Sequence, residues 1–246
     1  LTLLLLGIFI GLMAVIFMGY SPTLLDIFKM ISIVTLIGVI IYAPTGPAGA
    51  ITREKDRNTW DLLRTSACSS LNILAGKTLA ELRYILCCTA CFFLGLYGTT
   101  RLFRNFGEPI RESEYSVELL YAVLLLASCV IFYVCAAIYF SSRAKDTAKA
   151  QAHTFVIILL HCLGPFLLAV IMELILQTEE YGGIWRDITD FVAGFTPLTL
   201  LLNKSWFFQI GTDTWAIEVM VQSIIIVLIG ILFLFAAQRR IDRYEE

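Results

Sequence analysis

The sequence predicts an all-α membrane protein with six transmembrane helices, and its composition and the distribution of its apolar residues lead to that fold class. Of the 246 residues, 59% are hydrophobic and only 15% are charged, and the mean hydropathy is +0.82. Water-soluble domains are about 45–50% apolar and about 25% charged. The apolar residues form six long runs, each long enough to cross a bilayer as a helix that satisfies its own backbone hydrogen bonds.

The six runs predict a single transmembrane domain over residues 1–246, since no internal repeat or linker divides the chain. The approximate spans are 1–20, 27–50, 79–99, 117–140, 153–176 and 216–237. A cytosolic element is expected at 51–77, between the second and third spans. The outer loop at 177–214 mixes polar residues with tryptophan and phenylalanine, which is typical of short interfacial or re-entrant helices.

Turn residues bound the first two spans. The first ends before a tight turn at 21–23, and the second ends in the Pro- and Gly-rich stretch 44–49. Because proline cannot continue a helix, this stretch predicts a helix exit into the cytosolic element. The chain begins at a leucine without a positively charged lead-in, so we expect that the true N-terminus is missing, which leaves room for a short cytosolic helix before Leu1.

The remaining spans are separated by loops of different kinds. A mixed-charge outer loop follows the third span, and a short inner loop at 141–150 joins the fourth and fifth. The fifth span contains Gly164 and Pro165 near its middle. Because proline removes a helical hydrogen bond, this pair is either a candidate hinge near a substrate path or a static kink satisfied by neighbouring helices.

The distribution of positive charge predicts the orientation. With a cytosolic N-terminus, twelve of the 18 lysines and arginines lie on the inner side of the membrane. By the positive-inside rule, both termini of this multi-pass protein then face the cytosol, and the inner or plasma membrane of the cell is the expected location. The net charge of -2, without a basic stripe, excludes a nucleic-acid partner.

The most informative stretch is ITREKDRNTWDLLRTSACSSLNILAGK at 51–77. After a run of alternating charge, Thr59, Leu62, Leu63 and Ser66 follow at i, i+3, i+4 and i+7, which gives a helix one semi-apolar stripe. Trp60 adds an aromatic anchor beside it. Such a helix either lies on the membrane surface or inserts into a groove on a soluble partner.

This stretch resembles the cytosolic signature of permease subunits of type-2 ABC exporters, the ABC-2-type permease family. In that signature an acidic residue and a Gly-Thr step precede a Leu-Leu pair, a Ser/Thr-Pro step and a Gly-Lys that opens the next membrane helix. The matching positions are Glu54, Thr59, Asp61, Leu62, Leu63, Ser69, Ile73, Gly76 and Lys77. Asn58 replaces the usual glycine and Ala67 the usual proline, and asparagine tolerates unusual backbone angles better than most residues.

The resemblance implies that 51–77 contains a coupling helix that docks into a separate cytosolic ATPase. Two ATPase copies would bind ATP and Mg, and two permeases, as a homodimer or heterodimer, would form an export path through the lipid membrane. Gly76 and Lys77 would lie at the interface where the next helix starts. We expect Glu54→Arg with Leu63→Asp to uncouple the protein without unfolding it. The coupling role falls on Glu54, Thr59, Trp60, Asp61, Leu62, Leu63 and Ser66.

The sequence gives little support for chemistry within the chain itself. Gly76-Lys77-Thr78 ends like a phosphate-binding loop, but Leu71 stands where that loop requires glycine. No ATP site, bound cofactor or enzyme activity is therefore predicted for this chain. With no paired carboxylates, nucleophile–base pattern or metal motif, neither catalytic residues nor a metal site are predicted.

Cysteine and histidine residues leave two interpretations open. The cysteines, including the Cys88 and Cys91 pair, are predicted to be packing residues, because no second pair or nearby histidine completes a metal site. His153 and His161 lie eight residues apart on the fifth span, with Glu173 beyond them. They either form a proton relay, or only His161 is deep and hydrogen-bonds a neighbouring helix.

Two other classes of function are compatible with the sequence. The first is a non-transporting membrane scaffold or assembly protein that binds a cytosolic partner through 51–77. The second is an intramembrane enzyme that uses His161 or a cysteine. An ATPase partner would distinguish the exporter from the scaffold. The apolar spans favour an amphipathic cargo such as a lipid, drug or peptide over a bare ion.

Overall fold

A computed structural model of the chain describes residues 38–65, 69–104, 112–175 and 212–242. Within these ranges every regular element is a helix and no strand occurs, which confirms the all-α class for the described part. The predicted span at 1–20, the first part of the span at 27–50 and the predicted outer loop up to residue 211 lie outside the described residues. The six-span count and the single-domain boundaries stay predictions.

Seven α-helices and one 3-10 turn make up the described part. In chain order they are α1 (38–45), the 3-10 turn Pro47–Gly49, α2 (Thr52–Asp56), α3 (Trp60–Arg64), α4 (Ser70–Arg104), α5 (Glu112–Arg143), α6 (Thr147–Ile175) and α7 (Thr212–Asp242). The chain leaves α1 after residue 45 and enters the proline-containing 3-10 turn, as the Pro- and Gly-rich stretch predicts.

Three helices in the described ranges are long and apolar enough to cross a membrane. They are Val123–Arg143 in α5, Thr147–Met172 in α6 and Met220–Asp242 in α7. They overlap the predicted fourth, fifth and sixth spans. Helices α5 and α7 continue to Arg143 and Asp242, beyond the predicted ends at 140 and 237, because a helix can extend into polar residues next to an apolar run, so hydropathy alone does not fix where it ends.

Helix α5 lies at the centre of the described bundle. In its membrane-spanning stretch 67% of the residues are buried, against 12% in α6 and 28% in α7. Helices α4, α6 and α7 all pack on it. Its side chains supply much of the core, including Leu125, Cys129, Val130, Phe132, Tyr133, Val134 and Ile138. Because all three spans are about equally apolar, the contacts of α5 and not its composition distinguish it as the central helix.

Helices α5 and α7 run parallel and approach closely at Gly230. The two helices end on the same side of the bundle, where Tyr139 and Arg143 lie beside Arg239 and Arg240. A Cβ atom placed on Gly230 would lie 3.2 Å from the Cα atom of Phe132, which is main chain and cannot rotate away. Glycine therefore permits a backbone approach that a larger residue would prevent.

Gly164 and Pro165 lie inside α6, which is one helix from Thr147 to Ile175. The pair does not end the helix, so the local hydrogen bond lost at proline is tolerated within it. The role of the pair as a hinge stays a prediction.

Replacing Gly230 with leucine is expected to destabilise the α5–α7 pair. Overpacking against main chain costs about 1–3 kcal/mol, so the midpoint of thermal unfolding of the detergent-purified protein should fall. Gly76→Leu is the matched control, because a Cβ atom at Gly76 meets nothing within 4 Å. Equal unfolding midpoints for the two variants would contradict the close approach at Gly230.

Candidate functional site

The segment that follows α1 is fixed against the end of α5 by two hydrogen bonds from its backbone N–H groups to one serine side chain. Ile51 and Thr52 are 1% and 0% exposed. Their N–H groups both donate to Ser141 Oγ, at 2.9 and 3.1 Å. Buried backbone donors need an acceptor, and the Ser141 hydroxyl supplies one at the point where the chain turns from α1 into α2. We call residues 51–65 the platform.

Helix α2 of the platform also contacts the loop that joins α5 to α6. Lys55 Nζ donates to the backbone oxygens of Ser142, at 2.8 Å, and Ala144, at 3.3 Å. These carbonyl groups at a helix end lack intrahelical partners, and a lysine ammonium is well suited to them. The Thr147 hydroxyl at the start of α6 lies 3.0 Å from both Thr52 Oγ1 and Asp56 Oδ2. The platform is thus bonded to both sides of one inter-helix loop.

The platform contains two one-turn helices, whereas the sequence predicts one amphipathic helix. The break lies at Asn58, which has a φ of 56°. This left-handed conformation is costly for most residues and tolerated by asparagine. It fits the position where the family signature has glycine. The i, i+3, i+4 spacing of Thr59, Leu62 and Leu63 therefore belongs to α3 and the residue before it.

The Glu54 carboxylate joins α2, α3 and α4. Its Oε2 accepts a hydrogen bond from the Thr59 hydroxyl at 2.5 Å, and its Oε1 pairs with Lys77 Nζ at 2.5 Å. The side chains of Glu54 and Lys77 are only 24% and 27% exposed, so solvent screens this pair less than it would a surface pair. The Lys77 ammonium group is therefore held by a carboxylate of the platform.

The local charges shift the pKa values of two platform residues. The hydrogen bond from Lys77, followed by that from Thr59, lowers the pKa of Glu54 below its ordinary value of 4.5. Burial is the main cause of the lowered pKa of Lys55, and the positive charge of Arg240 lowers it further. Glu54 is therefore held in its charged form, and Lys55 lies close to the positive charge of Arg240.

Helix α4 begins earlier than the sequence predicts. It starts at Ser70, so Gly76 and Lys77 lie in its second turn and not at the helix start. The reason is an N-cap at Ser69, whose hydroxyl accepts the Asn72 N–H at 3.3 Å. The Ser70 hydroxyl also donates to Asp242 at the end of α7. The start of α4 thus connects the platform side of the bundle to the last described helix.

The apolar residues of α3 differ in exposure. Leu62 is 71% exposed, whereas Leu63 is half-buried. Trp60 is also half-buried and packs against the protein's own core, so its ring is not free to act as an external anchor. Ser66 and the side chain of Asp61 lie outside the described residues. Of the predicted coupling residues that are described, Leu62 is the apolar side chain available to a partner.

Sequence reasoning missed four residues of this site, namely Lys55, Ser141, Thr147 and Asp242. The only signal in the sequence is that polar residues directly follow the apolar runs of α5 and α7. Their partners are up to 172 residues away along the chain, and neither spacing nor periodicity identifies contacts of that separation.

The histidines of α6 make local contacts. His161 Nδ1 lies 2.9 Å from the Tyr133 hydroxyl on α5, and His153 stacks on the Phe140 ring. His161 therefore has the interhelical hydrogen bond of the second interpretation, while Glu173 has no described side chain. Among the described residues no group of three or more His, Cys, Asp or Glu side chains is placed to hold a metal ion.

The Glu54–Lys77 pair is expected to stabilise the protein measurably. In a double-mutant cycle of Glu54→Gln and Lys77→Gln, the unfolding free energies should give a coupling of about 1 kcal/mol, because the pair is largely shielded from solvent. The Asp146–Lys149 pair is the control. Its side chains are 47% and 67% exposed, so its coupling should be near zero. Equal couplings in the two cycles would contradict the structural role of Glu54.

The stability that Glu54 contributes to the folded protein should decrease at low pH. A carboxyl whose pKa is lowered by folding stabilises the protein above its ordinary value of 4.5 and loses that contribution as the pH falls through the lowered pKa. The stability difference between wild type and Glu54→Gln should be constant from about pH 6 to 8 and shrink below about pH 4.5. Thermal unfolding at each pH measures it, and a difference that does not change with pH would contradict the prediction.

The comparison with known families identifies the family of this chain. A family model described as ABC-2 family transporter protein matches residues 23–238, which is most of the chain. No match to this chain was found among curated proteins or solved structures. With apolar helices long enough to span a bilayer and a family match over nearly its full length, the chain belongs to the ABC-2 transporter family and is a membrane transporter permease.

Proposed function

We propose that this chain is the membrane-spanning subunit of an ATP-driven exporter and that a separate ABC ATPase docks on the platform. Membership of a family of membrane transport components supports the proposal. ATP and Mg would then bind to the ATPase chain, and this chain would contribute no ATP site of its own. The contacts of the platform support it as the docking surface.

The observation that carries the proposal is that the platform is bonded to several membrane helices at once. Ser141 Oγ holds it to α5, Thr147 holds it to α6, and the Glu54–Lys77 pair holds it to α4. A rigid displacement of the platform would therefore move the ends of three helices together. Energy transfer from a partner requires such a mechanical connection between the docking surface and the moving element.

Leu62 offers the contact that a partner would use. A leucine exposed to 71% next to a fixed base is energetically unfavourable in water and favourable in an apolar pocket. The exposed polar residues around it, Arg57, Asn58 and Thr65, would form the rim of such an interface. The platform therefore resembles a small docking surface with one apolar centre.

The double variant Glu54→Arg with Leu63→Asp, which the sequence suggests, does not test docking alone. Glu54→Arg places a positive charge against Lys77, and Leu63→Asp puts a charge at a half-buried position. Both changes disturb the internal structure of the platform, so a loss of function in that double variant would have two explanations. Leu62 avoids this ambiguity because its side chain is mostly in solvent.

Leu62→Asp is expected to weaken ATPase docking without changing stability. Loss of a central apolar contact costs about 2 kcal/mol or more, so ATPase that co-purifies from native membranes should fall at least tenfold, and transport should fall with it. Leu62→Met should retain both. Ala148→Asp is the matched control, because it adds the same acidic residue at an exposed position outside the platform.

Two results would decide against the proposal. Normal ATPase co-purification and transport by the Leu62→Asp protein would exclude the platform as the docking surface. If mass spectrometry of wild-type protein purified in mild detergent detects another bound partner and no ATPase, the scaffold function would be favoured. The same measurement gives the number of ATPase copies, for which we propose two, and shows whether the second permease is an identical chain.

The proposal includes the membrane topology. We infer six spans with both termini in the cytosol, which puts the platform and the 144–146 loop on the cytosolic side of the membrane. The common side at which α5 and α7 end, and at which α6 begins, supports this orientation, because the basic residues Arg143, Arg239 and Arg240 gather there.

A further inference from the structure

A cleft of about 700 Å³ lies between the ends of α5 and α7 on the platform side of the bundle. Arg143, Arg239 and Arg240 line one part of it, and Leu232 and Phe235 line another, with Tyr139 between them. The cleft therefore has a basic part next to the helix ends and an apolar part toward the middle of the predicted membrane span. None of these residues belongs to the platform.

The basic part of the cleft has an excess of positive charge. Arg143 donates one hydrogen bond to the neutral Tyr139 hydroxyl, at 3.2 Å. The described residues that line the cleft include three arginines and no carboxylate. The positive charge of Arg240 also lowers the pKa of the Lys55 ammonium group. An anion in the cleft would reduce this repulsion.

The apolar part of the cleft belongs to a membrane-spanning stretch. Leu232 and Phe235 are 65% and 55% exposed, and both lie within the span Met220–Asp242. At this depth the medium around them is hydrocarbon, which suits an acyl chain and excludes a free hydrated ion. Basic pockets between helices at the cytosolic side of a membrane commonly hold lipid headgroups.

We propose that this cleft binds an anionic glycerophospholipid, with its phosphate between Arg143 and Arg239 and an acyl chain along Leu232 and Phe235. Arginine suits this role, because its planar guanidinium forms paired hydrogen bonds with phosphate oxygens. The lipid would bridge α5 and α7 at the ends that lie next to the platform. This role goes beyond transport and does not depend on ATPase docking.

The test titrates the detergent-purified full chain with dioctanoyl phosphatidylglycerol and with dioctanoyl phosphatidylcholine, and native mass spectrometry counts the bound lipid. Wild type should bind the anionic lipid at least tenfold more tightly. Arg143→Gln with Arg239→Gln should lose about 25-fold in that affinity, since each basic residue contributes about fivefold. Lys145→Gln with Lys149→Gln removes the same charge from exposed positions outside the cleft and should retain wild-type affinity.

A single substitution at an exposed position provides a second test in case the double variant misfolds. Arg239 is exposed, so Arg239→Gln should fold and lose about fivefold in affinity. Equal affinity for the two lipids, or unchanged binding in the arginine variants, would overturn the proposal. Displacement of the lipid by inorganic phosphate at equal concentration would also overturn it, because the site would then bind free anion. If the arginine variants lose ATPase co-purification while wild type has no lipid preference, the cleft is a protein contact and the proposal fails.

Discussion

The arrangement of the platform depends on one hydroxyl group, Ser141 Oγ, which accepts the buried N–H groups of both Ile51 and Thr52. These donors occur because the chain leaves α1 through a proline-containing turn and cannot continue the helical hydrogen-bond series. An unpaired buried N–H costs about 1–3 kcal/mol, so the turn is stable only where an acceptor lies within hydrogen-bonding distance. The position of Ser141 at the end of α5 therefore fixes where the platform begins.

The remaining contacts attach the platform to further parts of the bundle. Lys55 donates a hydrogen bond to the backbone oxygen of Ser142 at the end of α5, and Glu54 forms an ion pair with Lys77 on α4. Each contact pairs a platform side chain with a different helix, so no helix end next to the platform can shift alone. The exposed Leu62 lies on a platform that is bonded to these helices. The proposed coupling would use this connection to pass a displacement on to the membrane spans.

The sequence predicted those features that depend on local physics. Long apolar runs identified the helices, and the tolerance of Asn58 for left-handed angles agreed with the turn found there. Three features depended on tertiary contacts and were not predictable. They are the start of α4 at Ser70, the inward packing of Trp60 and the pairing of Glu54 with a lysine that lies 23 residues further along the chain. Periodicity identified one semi-apolar stripe, but only packing distinguishes an exposed residue such as Leu62 from a half-buried neighbour.

The central position of α5 has a consequence for biosynthesis. This helix is finished when residue 143 has been made, but its parallel neighbour α7 begins only at Thr212. At about 5–20 residues per second, the synthesis of residues 144–211 takes roughly 3–14 s. During that interval the face of α5 that later packs against Gly230 has no α7 to cover it. The most buried helix of the described bundle is therefore completed well before the helix that runs parallel to it and covers part of its surface.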